Sequence, residues 1–192
     1  KYLVFHGIKV LFSQPLFTAG LLTIWCLACA FYDLTQRRLP NFLTLGVHIP
    51  ALAILLIAGH GLLGATAISC LLAWSAALFL TLPAYAFRWL GAGDVKFLAS
   101  IGLLTGLNFL LVSYAIAGLL SGMIVVAWLS AQRVLPYLNL QLASTKIQLP
   151  VLARPTGKVL PFGAILAVSV LITLCIPAYV DFIPLKSLGG FS

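Results

Sequence analysis

Glutamate is absent from this chain, and aspartate occurs only as Asp33, Asp94 and Asp181. Charge of either sign is scarce: 7% of the 192 residues are charged, where a soluble domain carries about 25%. So few charged side chains cannot solvate the surface of a water-soluble globule, and that class is excluded. Cysteine is sparse too, and Cys26, Cys29, Cys70 and Cys175 all lie in apolar stretches. The Cys26-x-x-Cys29 pair has metal-ligand spacing, but a structural zinc site takes four ligands. With no second pair, small packing residues on one helix are expected, and no metal.

Hydrophobic residues make up 62% of the chain, and 11 Lys and Arg set a net charge of +8. A nucleic-acid-binding protein gathers such charge into a patch. Here the cations sit singly or in pairs between long apolar runs, so the pattern indicates membrane topology and no nucleic-acid partner. Uncharged runs cover residues 10–32, 39–87, 97–132 and 159–180. A crossing helix needs about 20 apolar residues. The second run divides at Gly59-His60-Gly61 and the third near Gly106-Leu107-Asn108, where glycine disfavours helix. The predicted spans are 16–33, 42–58, 62–87, 95–107, 109–131 and 159–180, the fourth of them short.

The fold predicted is therefore all-α, a polytopic membrane protein with about six transmembrane helices in one domain over 1–192. Residues 1–15 read as an outer interfacial lead-in and 132–158 as a cytoplasmic loop, in which Tyr137–Leu142 alternates weakly as in a strand or interfacial segment. Lys and Arg are retained on the cytoplasmic side. One face collects Arg37, Arg38, Arg88, Lys96, Arg133, Lys146, Arg154 and Lys158, and the other Lys1, Lys9 and Lys186. Both termini are thus expected outside, with Asp33 and Asp94 sharing the cytoplasmic face.

An ionisable residue in or beside a span marks a functional site by default. Taken singly, Asp33 reads as an interfacial acid paired with Arg37, and Asp94 as a helix cap. Taken together, they are the only acids on that face. Two adjacent aspartates share one proton, so the ionised member activates water while the protonated member polarises a carbonyl. Gly91 and Gly93 allow close approach of a substrate strand beside Asp94, and Pro40 stops any helix running on from Asp33. Helix dipoles suggest Asp94, at a helix N-terminus, as the base and Asp33, at a C-terminus, as the proton donor.

These residues resemble the type IV prepilin peptidases, membrane aspartic proteases of the Gly-x-Gly-Asp kind. Asp33 followed by Arg38-Leu39-Pro40-Asn41 is similar to the first motif of that family. Gly91-Ala92-Gly93-Asp94-Val95-Lys96 matches the second, and Leu160-Pro161-Phe162-Gly163 is similar to a Pro-aromatic-Gly signature near the C-terminus. Larger members carry a cysteine-rich cytoplasmic segment and also methylate the new N-terminus, and this sequence shows neither that segment nor an S-adenosylmethionine motif. It looks like a short, peptidase-only form of the kind found in Tad/Flp pilus systems. The resemblance implies Asp33 and Asp94 as catalytic residues, with Arg38, Pro40, Asn41, Gly91, Gly93, Lys96, Pro161 and Gly163 binding substrate or supporting the motifs. It further implies no cofactor, an inner-membrane location, and removal of a short basic leader from prepilins or pseudopilins at the cytoplasmic face. Arg38 or Lys96 is expected to engage an acidic residue early in the mature pilin, while anionic lipid holds the leader.

Presenilin-like proteases share the two aspartate motifs, but the only Pro-Ala-Leu here is Pro50-Ala51-Leu52, before Asp94. The alternative from another class is a small proton-coupled transporter or channel using Asp33 and Asp94. Transporters hold such groups near the midplane of repeated halves, whereas these acids sit at span ends and no repeat is present. His6, His48 and His60 are scattered and read as packing or interface residues, Asp181 as marking the outer membrane edge, and Pro83 as a kink in the third span.

Overall fold

In the computed structural model, described over residues 15–142 and 161–176, those residues form a bundle of six α-helices. They are α1 (Pro15–Gln36), α2 (Asn41–Ala58), α3 (Ala67–Ala86), α4 (Ala92–Thr105), α5 (Leu107–Leu142) and α6 (Phe162–Leu174). Four contain stretches long and apolar enough to cross a membrane: Phe17–Gln36, Asn41–Ala58, Ala67–Ala86 and Leu107–Leu135. Among the described residues the only β pairing is an isolated bridge between His60 and Thr66. The all-α polytopic architecture expected from the apolar runs is present, and both glycine divisions fall where expected. Gly59 ends α2 at φ +78°, and Gly106 separates α4 from α5 at φ +88°.

The short fourth helix is the centre of the bundle. Its 14 residues span about 21 Å, less than the roughly 30 Å of a bilayer core. Helices α2, α3, α5 and α6 pack around it, and every residue from Phe97 to Thr105 is buried. A helix enclosed by protein need not match the thickness of the lipid. It also carries polar groups without exposing them to hydrocarbon: Thr105 Oγ1 donates to Ile101 O at 2.8 Å, and Ser100 Oγ lies 2.8 Å from Lys96 O.

Close packing follows from small side chains. Cys70, Ala73, Ala77 and Thr81 form a fully buried stripe on α3 at helical spacing, facing α4. Gly102 meets this stripe so tightly that an added β-carbon would lie 2.9 Å from the Ala73 carbonyl carbon and oxygen. In lipid, where apolar burial drives little association between helices, such backbone approach supplies the dispersion contact that holds them. At the same end as Gly106, the α2–α3 loop closes onto α4, with Leu62 N–H donating to Leu104 O at 2.7 Å.

Two expectations are corrected. The stretch after residue 131 does not open a loop, because α5 stays helical to Leu142, through the alternating Tyr137–Leu142 segment. Each added residue of a running helix gains a hydrogen bond, which outweighs a six-residue alternation. The fourth span begins at Ala92 rather than 95, so Gly93 and Asp94 lie inside its first turn. Pro83 does lie within α3. The lead-in through residue 14, the 143–160 segment with Lys146, Arg154, Lys158 and Leu160, and Asp181 fall outside the described residues.

Gly102→Ala forces its methyl against α3 backbone that cannot rotate away, an overpacking cost of about 1–3 kcal/mol. The variant is expected to unfold at lower temperature in detergent. Gly118→Ala on α5 is the control, since its methyl meets nothing within 4 Å, and it should equal or exceed the wild type.

Candidate active site

Asp33 ends an inward stripe. Thr18, Leu22, Cys26, Cys29 and Asp33 recur three or four residues apart along α1, and all are buried. The paired cysteines are therefore packing residues of this stripe. The Asp33 side chain is 5% exposed, and a buried carboxyl needs a hydrogen-bond partner. Ala164 N–H, in the first turn of α6, donates to Asp33 Oδ2 at 2.8 Å. First-turn N–H groups have no partner within their own helix, so this contact satisfies both sides. The contact adds a second helix dipole to the one from which Asp33 was assigned the donor role. That assignment rested on the dipole of α1 alone, and the N-terminus of α6, of opposite sign, reaches the same carboxylate.

Asp94 is held differently. Gly91 is the N-cap of α4 in extended backbone, and Asp94 is the third helical residue. Gly91 N–H donates to Asp94 Oδ2 at 3.0 Å, and Asp94 N–H donates to Gly91 O at 3.1 Å. The capping expected of Asp94 is real, but it is made from inside the first turn. The side chain remains half-buried, so capping fixes it while leaving it at the wall of a cavity.

Both aspartates line one cavity of about 250 Å³. Of the other sequence-predicted residues, Arg38, Asn41, Gly91, Gly93, Lys96 and Pro161 line it too. Lys96 Nζ donates to Asn41 Oδ1 at 2.9 Å, tying the start of α2 to α4. Pro40 stands outside the wall as the N-cap of α2, and Gly163 lies behind it against Asp33. An added β-carbon on Gly163 would sit 3.0 Å from Asp33 Cγ and Oδ2, so glycine is what lets α6 approach the carboxylate. The remaining wall is Arg37, Leu39, Ala92 and Phe162.

Sequence reasoning missed Leu39 and Ala164. Leu39 is the one buried residue of Gln36–Pro40, and an apolar side chain between a polar run and a proline was the available signal. Ala164 acts through its backbone N–H, which no residue type announces. Arg37 stands in left-handed backbone at φ +51° where α1 ends, as Arg88 does at φ +61° beyond α3. Such a conformation costs roughly 1–2 kcal/mol for a residue with a β-carbon. Cations at the C-terminal end of a helix dipole offset part of it.

Below the cavity, Ser100 Oγ lies 2.9 Å from Thr44 O and 3.3 Å from His48 Nδ1, and His48 Nδ1 lies 3.0 Å from Thr44 O. His48 thus serves the packing of α2 on α4, as expected, and the His60 ring nitrogen Nδ1 lies 2.9 Å from Gly61 O in the distal loop. His6 is outside the described residues.

Comparison with curated proteins and with solved structures returns no match. A protein-family model does match, over residues 20–126, more than half of the chain. That stretch runs from α1 into α5 and contains both aspartates, their flanking motifs and the central helix, while α6 lies beyond it. With its extent and the helical membrane architecture in agreement, the chain belongs to the type IV leader peptidase family.

Proposed function

We propose that the protein is an aspartic endopeptidase that removes the short basic leader from prepilins or pseudopilins at the cytoplasmic membrane face, with Asp33 and Asp94 as its dyad. The observation that carries this reading is convergence. Two carboxyl groups from helix ends sixty-one positions apart line a single cavity, each steadied by a backbone N–H. In this reading the pair shares one proton. The ionised aspartate takes a proton from water as the oxygen attacks the scissile carbonyl, and the protonated one gives its proton to the carbonyl oxygen. Collapse of the resulting diol breaks the C–N bond. The nitrogen takes up a proton, leaving a carboxylate on the leader and an amine on the mature protein.

The wall supports a substrate with a negative group near the cleaved bond. Arg37, Arg38 and Lys96 outnumber a dyad that carries one negative charge when it holds one proton. In this reading Arg38 or Lys96 meets an acidic residue of the mature segment, and the leader lies toward anionic lipid. Lys96 would exchange its bond to Asn41 for that contact. A proton-coupled transporter would hold its carriers near the midplane, whereas both aspartates lie within a turn of helix termini at one end of the bundle.

The test is co-expression with a prepilin, scoring leader removal by wild type, Asp33→Asn and Asp94→Asn. Each variant is expected to lose at least about 10²-fold in rate, the scale of general acid–base catalysis. Normal processing by either one refutes the dyad. Lys96→Glu should change the preference between prepilins with and without the acidic residue, and unchanged preference removes that contact. For orientation, Arg88→Cys in a background without the native cysteines should react with an impermeant thiol reagent from the cytoplasmic side. Labelling only from outside reverses the topology.

A further inference from the structure

Leu39 touches both halves of the site. On one side, an added β-carbon on Gly93, the residue before Asp94, would lie 3.0 Å from Leu39 Cβ and 3.5 Å from its backbone N and O. On the other, an added β-carbon on Gly163 would lie 3.0 Å from Leu39 Cδ1 and equally close to the Asp33 carboxylate. Gly163 precedes Ala164, whose N–H holds Asp33. One leucine therefore bridges the first turn of α4 and the first turn of α6, and each of those turns fixes one aspartate. It is 9% exposed, while Gln36, Arg37 and Arg38 before it are exposed.

We propose that Leu39 is a positioning residue, a spacer whose side chain sets the separation of Asp33 and Asp94. The inference rests on the reading of those two residues as a catalytic dyad. Its logic is that α4 and α6 do not set the spacing alone: both glycine turns close down until they meet this leucine. A shorter side chain lets α6, with Asp33, settle toward α4. Displacements on the order of 1 Å at a reacting centre cost about 10²-fold in rate.

The two contacts predict different behaviour in double variants. Leu39→Ala should lower kcat at least tenfold with KM within about threefold, and Leu39→Met, which conserves volume, should stay within about threefold of wild type. Gly163→Ala should also be impaired. Adding Leu39→Ala should make the double variant less impaired than the product of the two losses, because the new methyl takes the space left by Cδ1, while its contact with the Asp33 carboxylate remains. Gly93→Ala should gain nothing from Leu39→Ala, because the Cβ that it meets remains.

The measurement is leader removal by purified, folded variants, with Asp33→Asn and Asp94→Asn alongside. A second measurement does not depend on turnover: Asp33→Cys with Asp94→Cys, in a background without the native cysteines, is bridged with thiol crosslinkers of graded length. Leu39→Ala should move the preferred length, and Leu39→Met should not. The spacer is overturned if Leu39→Ala keeps kcat within twofold, if the Gly163 and Leu39 losses simply multiply, or if the preferred length does not move. If Asp33→Asn or Asp94→Asn cleaves normally, the dyad reading itself falls, and the spacer falls with it.

Discussion

The hydrogen bond from Ala164 N–H to Asp33 is the contact around which the site is arranged. A carboxyl group at the inner stripe of a membrane helix is costly unless a polar group meets it, and the first turn of a helix offers donors that have no other partner. Satisfying both needs at once requires α6 to pack on α1 with its first turn at Asp33. That approach requires glycine at 163, because any β-carbon there would press on the carboxylate. The same approach brings Pro161 and Phe162 into the cavity wall, so α6 completes a cavity whose aspartates both lie within the matched family segment.

The central helix solves a second constraint. Asp94, Lys96, Ser100 and Thr105 on one short helix would be ruinous if they faced lipid. Enclosure by α2, α3, α5 and α6 removes that problem, and the small stripe Cys70, Ala73, Ala77 and Thr81 makes the enclosure tight. Hydroxyl groups close back on their own helices, as Thr81 does on Ala77 O at 2.6 Å and Thr173 on Ser169 O at 2.8 Å. Helix α4 can then be shorter than the bilayer is thick, and its N-terminal turn can end at a cavity.

Much of this was legible in the residues. The apolar runs and their glycine breaks placed all six helices, because lipid leaves the backbone few other choices. The scarcity of carboxylates singled out Asp33 and Asp94, and Gly91, Gly93, Arg38, Asn41, Lys96 and Pro161 do gather around them. What failed was local. Helix α5 runs through residues that alternate like a strand, since helix propagation overrides so short a pattern. The division of roles between the aspartates weighed one helix dipole, where the structure brings a second helix end to Asp33.

The sequence alone determined that the chain is a helical membrane protein and singled out two of its acids, because hydropathy and the rarity of charge are properties of composition and order. Only the tertiary structure decided how those acids are held. A backbone N–H has no signature in residue type, so Ala164 could not be named in advance. Leu39 is an ordinary leucine until Gly93 and Gly163 are seen to close on it from opposite sides. That closure depends on three chain segments, the outer two more than a hundred residues apart, meeting at one point, which is a property of packing and not of pattern.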